Sequence, residues 1–235
     1  MTLIATVVAA VNGSPAPVVF LDSCSLLDVV RAPRRNKASE VQVAQQFLAS
    51  VTKIPKTVYL VVSSPTQTEW NDHIGETVDD CTGAVDSCNA VASICGYLAL
   101  AGVAPLPAGV LGLPNLLRQL SADLLAAAIT LDHDAAALGR AIDRVLASRI
   151  PAKPGGKGAK DAVILEHAVE TTTQLRAAGF AGTCVFVSSN TKDFAASGST
   201  NLHPLLVPVF NPIQLDYATS LTHAEAILTA AGWVG

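Results

Sequence analysis

The sequence predicts an α/β protein, a three-layer α/β/α sandwich around a central parallel sheet. Short runs of β-branched and aromatic residues recur along the chain, and helical stretches separate them. The runs are apolar throughout rather than alternating, as expected of strands covered on both faces.

The chain opens with the apolar run Leu3 to Val11, passes Pro15, and enters a first strand, Pro17 to Leu21, which ends at Asp22. Thr57 to Val62 forms a second strand ending at Ser63. Between them Asn36 can cap a helix through Val51, with Val41, Ala44, Leu48 and Val51 on one stripe. Ser64-Pro65-Thr66-Gln67 reads as an N-cap, a proline at the first helical position and a capping-box glutamine. The helix it opens carries Glu69, Trp70 and His73, with Trp70 expected as a buried aromatic beside the sheet.

Residues 84–148 are rich in alanine and leucine, and a Pro/Gly loop at 102–115 divides them into two helical segments. The second places Leu124, Ala128, Leu131, Leu138, Ile142 and Val145 at helical spacing. Asp132, Asp134, Arg140, Asp143 and Arg144 then fall on its solvated face, and Asp132-His133-Asp134 reads as part of that face rather than as a ligand cluster. Residues 151–160 form a loop, and Asp161 opens a helix that ends before Gly179. Thr183 to Val187 is a strand ending at Ser188, and Leu205 to Phe210 is one more, followed by short helices. A single domain over 1–235, with a helical insertion at about 84–150, accommodates all of these elements.

Half of the residues are apolar and 14% are charged, which excludes a disordered chain. A net charge of -4 argues against holding nucleic acid by bulk attraction, so any such contact must come from local patches. The mean hydropathy of +0.42 raises the question of a membrane span. The apolar run at Leu3 lacks the preceding basic residues of an export signal, and the uncharged stretch Ser87 to Leu117 is broken by glycines and prolines. The expectation is a cytoplasmic protein with no membrane span. Its five cysteines are expected to stay reduced. Cys81, Cys88 and Cys95 recur every seven residues, about 10 Å apart along a helix, which suits small buried residues better than zinc ligands.

In a parallel sheet the residues just past the strand ends converge on one crevice. Along that edge stand Asp22, Glu69 and Asp193, with Asp161 joining from the start of its helix. Converging carboxylates repel one another and take up protons unless a hard divalent cation lies among them. Oxygen-only ligands favour Mg2+ or Mn2+. One or two such ions polarise a phosphodiester, activate water for in-line attack and stabilise the leaving oxygen. The chemistry expected is hydrolysis of nucleic acid.

These residues stand in a recognisable order. Val18-Val19-Phe20-Leu21-Asp22-Ser23 comes first, then Glu69 on the following helix, then Lys160-Asp161-Ala162 before an apolar helix. Phe186-Val187-Ser188-Ser189-Asn190-Thr191-Lys192-Asp193-Phe194 follows. Over most of its length the sequence resembles the PIN-domain ribonucleases, in particular longer variants with extra helices before the K-D-A motif. The resemblance implies a flavodoxin-like topology, metal-dependent endonucleolytic cleavage of RNA, and metal-binding roles for Asp22, Glu69, Asp161 and Asp193. It leaves room for a homodimer and for an antitoxin-type protein partner.

Two positions depart from the family pattern. Cys24 replaces a polar residue, for which Ser23 or Ser25 can substitute, and Asn190 with Thr191 stands where an acid is common. An Asn190 carbonyl can still ligate, with less charge, which puts a second metal ion in doubt. Arg31, Arg34, Arg35 and Lys37 form one basic cluster, and Lys153, Lys157 and Lys160 a second. Two such clusters flanking an acidic crevice can hold an RNA backbone at low net charge.

Two other readings compete. A PIN-like fold with a weakened site would serve as an RNA-binding or protein-interaction module. A haloacid-dehalogenase-like phosphatase would use Asp22 as nucleophile, Ser63 on the phosphate and Lys160 as a charge clamp. That family expects a second Asp at the position of Cys24. The Gly155-Gly156-Lys157-Gly158 run lacks the Ser or Thr that a phosphate-binding loop needs after its lysine.

Overall fold

A computed structural model describes residues 2–98, 110 and 112–235. Its centre is a five-stranded sheet of order β3-β2-β1-β4-β5, formed by β1 (Val18–Leu21), β2 (Tyr59–Ser63), β3 (Ile129–Leu131), β4 (Cys184–Val187) and β5 (Leu215–Ala218). All four pairings are parallel. Helices cover both faces, giving the expected three-layer, flavodoxin-like α/β/α sandwich.

Alternation along the strands divides the core. Val19 and Leu21 point to one face, where they meet α2 (Ser23–Arg35), α3 (Ala38–Thr52), α4 (Ser64–Tyr97), α5 (Leu113–Ala127) and α10 (Leu221–Ala230). Val18 and Phe20 point to the other, against α1 (Ile4–Gly13) and α7 (Ala159–Ala177). The α6 helix (Ala135–Leu146) packs on α7. Among the described residues no helix is long and apolar enough to cross a membrane.

Several elements differ from the sequence reading. The helical pattern through Leu131 is interrupted by β3, because Ile129, Thr130 and Leu131 pair with Val61, Val62 and Ser63 instead of continuing the helix. Asp132-His133-Asp134 therefore lies in a loop, where the Asp134 carboxylate caps α6 by accepting from the Ala137 N–H at 2.9 Å. Ile142 is exposed and Arg144 buried, the reverse of the expected faces. The loop expected at 102–115 lies largely outside the described residues, and α5 already begins at Leu113.

The strand expected at Leu205 to Phe210 is instead a helical turn, α9 (Val207–Phe210). Pro208 cannot donate to a ladder, and the edge strand forms later, at Leu215. Asn36 does not start a helix: it ends α2 in the left-handed conformation, φ 55°, which asparagine tolerates, and α3 begins at Ala38. All five cysteines are free; of the heptad-spaced three, Cys81 is buried, Cys88 exposed and Cys95 half-buried, so only Cys81 plays the expected packing part.

Candidate metal centre

Register sets the geometry of the site. Leu21 pairs with Val62 on one side and with Val187 on the other, so Asp22 emerges next to Ser188, where the strand order reverses between β1 and β4. That crevice is where ligands of doubly wound sheets bind. Asp22 is buried and caps α2, its Oδ1 accepting from the Ser23 N–H at 2.7 Å. Its Oδ2 accepts from the Ser188 hydroxyl at 2.6 Å. The Ser188 carbonyl in turn accepts from the Tyr217 hydroxyl at 3.1 Å.

Glu69 reaches the same place from the second turn of α4, which begins directly after β2. The Ser23 hydroxyl donates to Glu69 Oε2 at 2.8 Å and lies 3.3 Å from Asp22 Oδ1, so Ser23 holds the two carboxylates in register. Ser25 does other work: its hydroxyl donates to the Asp22 carbonyl at 2.6 Å and to that of Val187 at 3.3 Å, tying the ends of β1 and β4 together. Asp161 enters from the first turn of α7. Each of Asp22, Glu69 and Asp161 offers an oxygen, all within 4.8 Å of one another, and the three could hold a metal ion.

The electrostatics fit that role. Burial, with the Glu69 charge adding to it, raises the Asp22 carboxyl from 3.8 to about 6, against the lowering effect of the Ser188 hydrogen bond. Burial followed by the charges of Asp22, Glu69 and Asp193 raises Asp161 to about 7, even though it sits in a helix first turn that favours an anion. Two carboxyls held at the edge of protonation by burial and neighbouring charge gain when a divalent cation lies between them. The Cys24 thiol is pushed well above its ordinary range by burial and by the Asp22 and Asp161 charges, so it stays protonated beside the acids.

Asp193 is not one of these three. Phe194, fully buried and edge-on to Phe186 at 5.2 Å between centroids, anchors the short α8 turn (Thr191–Phe194) that carries it. The Asp193 Oδ1 is ion-paired with Lys153, and its Oδ2 accepts from the Asn190 amide at 2.9 Å. Asn190 therefore faces Asp193 with its NH2 group. Lys160 stands on the rim, its Nζ 4.0 Å from Glu69 and 3.6 Å from Asp72. Lys157 is exposed in the same loop.

The other basic cluster is placed elsewhere. Arg34 and Arg35 close the 13-residue α2, about 18 Å along the helix from Asp22. There Arg34 pairs with Asp80 and Arg35 with Asp28 at 2.5 Å, while Lys37 is exposed just beyond. The two clusters do not flank one crevice as expected, because α2 carries its last turn to the opposite end of the sheet.

One participant has a weak sequence signal. In the sequence Ser188 marks only the end of a strand, yet its hydroxyl directly tunes the Asp22 carboxyl from just past β4. Ser63 is buried, with its hydroxyl 2.5 Å from His167 Nδ1, so it is not presented to a phosphate as the phosphatase reading requires. Trp70 is buried as expected and donates from Nε1 to the Ser121 hydroxyl at 2.8 Å.

The loop before Asp161 is built rather than slack. Arg144 donates to the Ile150 carbonyl at 2.9 Å, and the Lys153 N–H donates to the Lys157 carbonyl at 2.8 Å. Gly158 takes φ +78° as the N-cap of α7, and a Cβ there would stand 2.6 Å from the Pro151 carbonyl oxygen. Gly158→Ala should therefore lower the melting temperature and weaken Mn2+ binding together, since the loop and Asp161 move as one. Unchanged values in a thermal melt and a titration would show that the loop absorbs the strain. In comparisons with family models, with curated proteins and with solved structures, nothing matches the chain.

Proposed function

We propose that this chain is a divalent-metal-dependent endoribonuclease, as its resemblance to the PIN-domain ribonucleases implies. The observation that carries the reading is the Asp22, Glu69 and Asp161 triad, convergent at the sheet's switch point, with Asp22 and Asp161 raised toward protonation. An all-oxygen donor set suits Mg2+ or Mn2+. When bound, such an ion supplies Lewis-acid polarisation of a phosphodiester and charge neutralisation.

The chain's own residues do the rest. Ser23 and Ser188 orient the two carboxylate edges of the centre, and Ser188 keeps Asp22 more acidic than burial alone would. Lys157 and Lys160, exposed beside the acids, are the basic residues available to backbone phosphates there. An open depression of about 810 Å3, lined by Thr191, Lys192, Ser197 and His203 among others, adjoins the turn carrying Asp193 and gives a strand somewhere to lie. The capture of Asp193 by Lys153 favours a second reading, a PIN-like RNA-binding module with reduced turnover.

Single-stranded RNA cleavage distinguishes the two. With Mn2+ the wild type should cut, chelator should abolish cutting, and Asp22→Asn and Asp161→Asn should each lose about 100-fold or more. Equal cutting by wild type and variants would sink the nuclease reading. RNA binding without metal-dependent cutting would establish the module.

A further inference from the structure

Lys153 stands apart from the other lysines of its loop. Residues on either side of it are fixed: Ala152 is buried, its N–H donates to the Arg149 carbonyl at 2.9 Å, and the Lys153 N–H is tied to Lys157. Arg144, which is itself paired with the buried Glu166, holds the Ile150 carbonyl from beneath. An ordered stretch of backbone thus carries the lysine that pairs with Asp193.

The other end of the pair is equally prepared. Asp193 turns Oδ2 to the Asn190 amide, while its buried Oδ1 has no hydrogen-bond partner and is met only by the Lys153 charge in an ion pair. Asp193 nonetheless lies close enough to Asp161 for its charge to be felt there, as does the opposing charge of Lys153. The Lys153–Asp193 pair therefore belongs to the surroundings of Asp161, where an unpaired Asp193 would be a fourth carboxylate for another cation.

We propose that Lys153 is a built-in cation that stands in for a second metal ion, so that the centre takes one divalent ion per chain. The inference rests on the metal-site reading above. Lys153 neutralises Asp193 and leaves Asp22, Glu69 and Asp161 to face a single ion. A second ion entering at Asp193 has to displace an ammonium at short range and meets its repulsion. Lys153 is a positioning residue: it sets the stoichiometry and the charge of the crevice without being a metal ligand.

Mn2+ binding to the intact chain, counted by calorimetry and by electron paramagnetic resonance, provides the test and needs no turnover. The expected stoichiometry is one for the wild type, two for Lys153→Met, and one again for Lys153→Arg and for Lys153→Met combined with Asp193→Asn. Lys153 is half-exposed, so its replacement leaves the core intact. Two ions in the wild type, or one in Lys153→Met, would overturn the proposal while leaving the metal centre standing. Absence of Mn2+ binding by the wild type would instead remove the metal-site reading itself.

Discussion

Without metal, Asp22→Asn should melt higher than the wild type at pH 7.5, an unusual direction for a change at a buried polar site. Asp22 is 1% exposed, and its carboxyl is raised from 3.8 to about 6, so ionising it in the folded chain opposes folding by about 3 kcal/mol. An asparagine amide removes that charge and can keep the contacts, with Oδ1 accepting from the Ser23 N–H and the amide facing Ser188, whose hydroxyl can accept instead. For a chain of this size the gain corresponds to roughly 5–10 °C. Mn2+ at about 100 times its dissociation constant should raise the wild type by a similar amount, near 2.7 kcal/mol, and leave the variant unmoved. A lower melting point for the variant in chelator, or an equal manganese shift in both proteins, would contradict the assignment.

The sign of the pH dependence follows from the same groups. An acid whose folded pKa is raised contributes stability that is complete below its unfolded value and is lost as pH rises through the folded one. For Asp22 that interval runs from 3.8 to about 6, and for Asp161 from 3.8 to about 7. The metal-free wild type should therefore lose stability between about pH 4 and 7, with Asp22→Asn showing a shallower loss. Bound metal opposes the trend, since it requires the ionised carboxylates and its affinity rises over the same interval.

Glu166→Ala should destabilise the chain by about 3–5 kcal/mol, the largest stability loss expected of a single change here. Glu166 is 2% exposed and accepts from Arg144 Nε at one oxygen and from Arg140 Nε at the other, at 2.7 Å for the latter. Arg140 is also held by Glu170 at 2.6 Å and keeps a partner when Glu166 goes. Arg144, 9% exposed, keeps only the Ile150 carbonyl, and its Nε loses its carboxylate. Urea unfolding measures the loss, and a midpoint shift worth less than about 1 kcal/mol would mean that water replaces the carboxylate. Because Arg144 also holds the Ile150 carbonyl, the same variant should loosen the loop that carries Lys153.

This pair shows where sequence reading reaches its limit. Arg140 and Arg144 lie among acids at helical spacing, a pattern that ordinarily marks a solvated face. Only the docking of α6 on α7 turns them toward Glu166. Likewise the triplet Ile129-Thr130-Leu131 continues a helical stripe in the sequence, and the open edge of β2 decides that it becomes a strand. The two basic clusters look equivalent as charge runs. Their distance from the acids depends on helix length and direction, which places one at the rim of the centre and the other at the far end of α2.

What the amino-acid sequence determined alone were features with a local physical cause. Apolar runs rich in β-branched residues made β1, β2 and β4, and the acid closing the first run, Asp22, marked the edge of the candidate metal centre. A glycine-rich loop followed by a long helix located Asp161. The tertiary structure decided what depends on partners distant in the chain: that Asp22, Glu69 and Asp161 come within ligand reach of one another, and that Asp193 is claimed by Lys153. A carboxylate's type is written in the chain, but whether it meets a metal ion or a lysine depends on which charge the fold brings nearest, because electrostatic attraction acts over a few ångströms of space and not along the sequence.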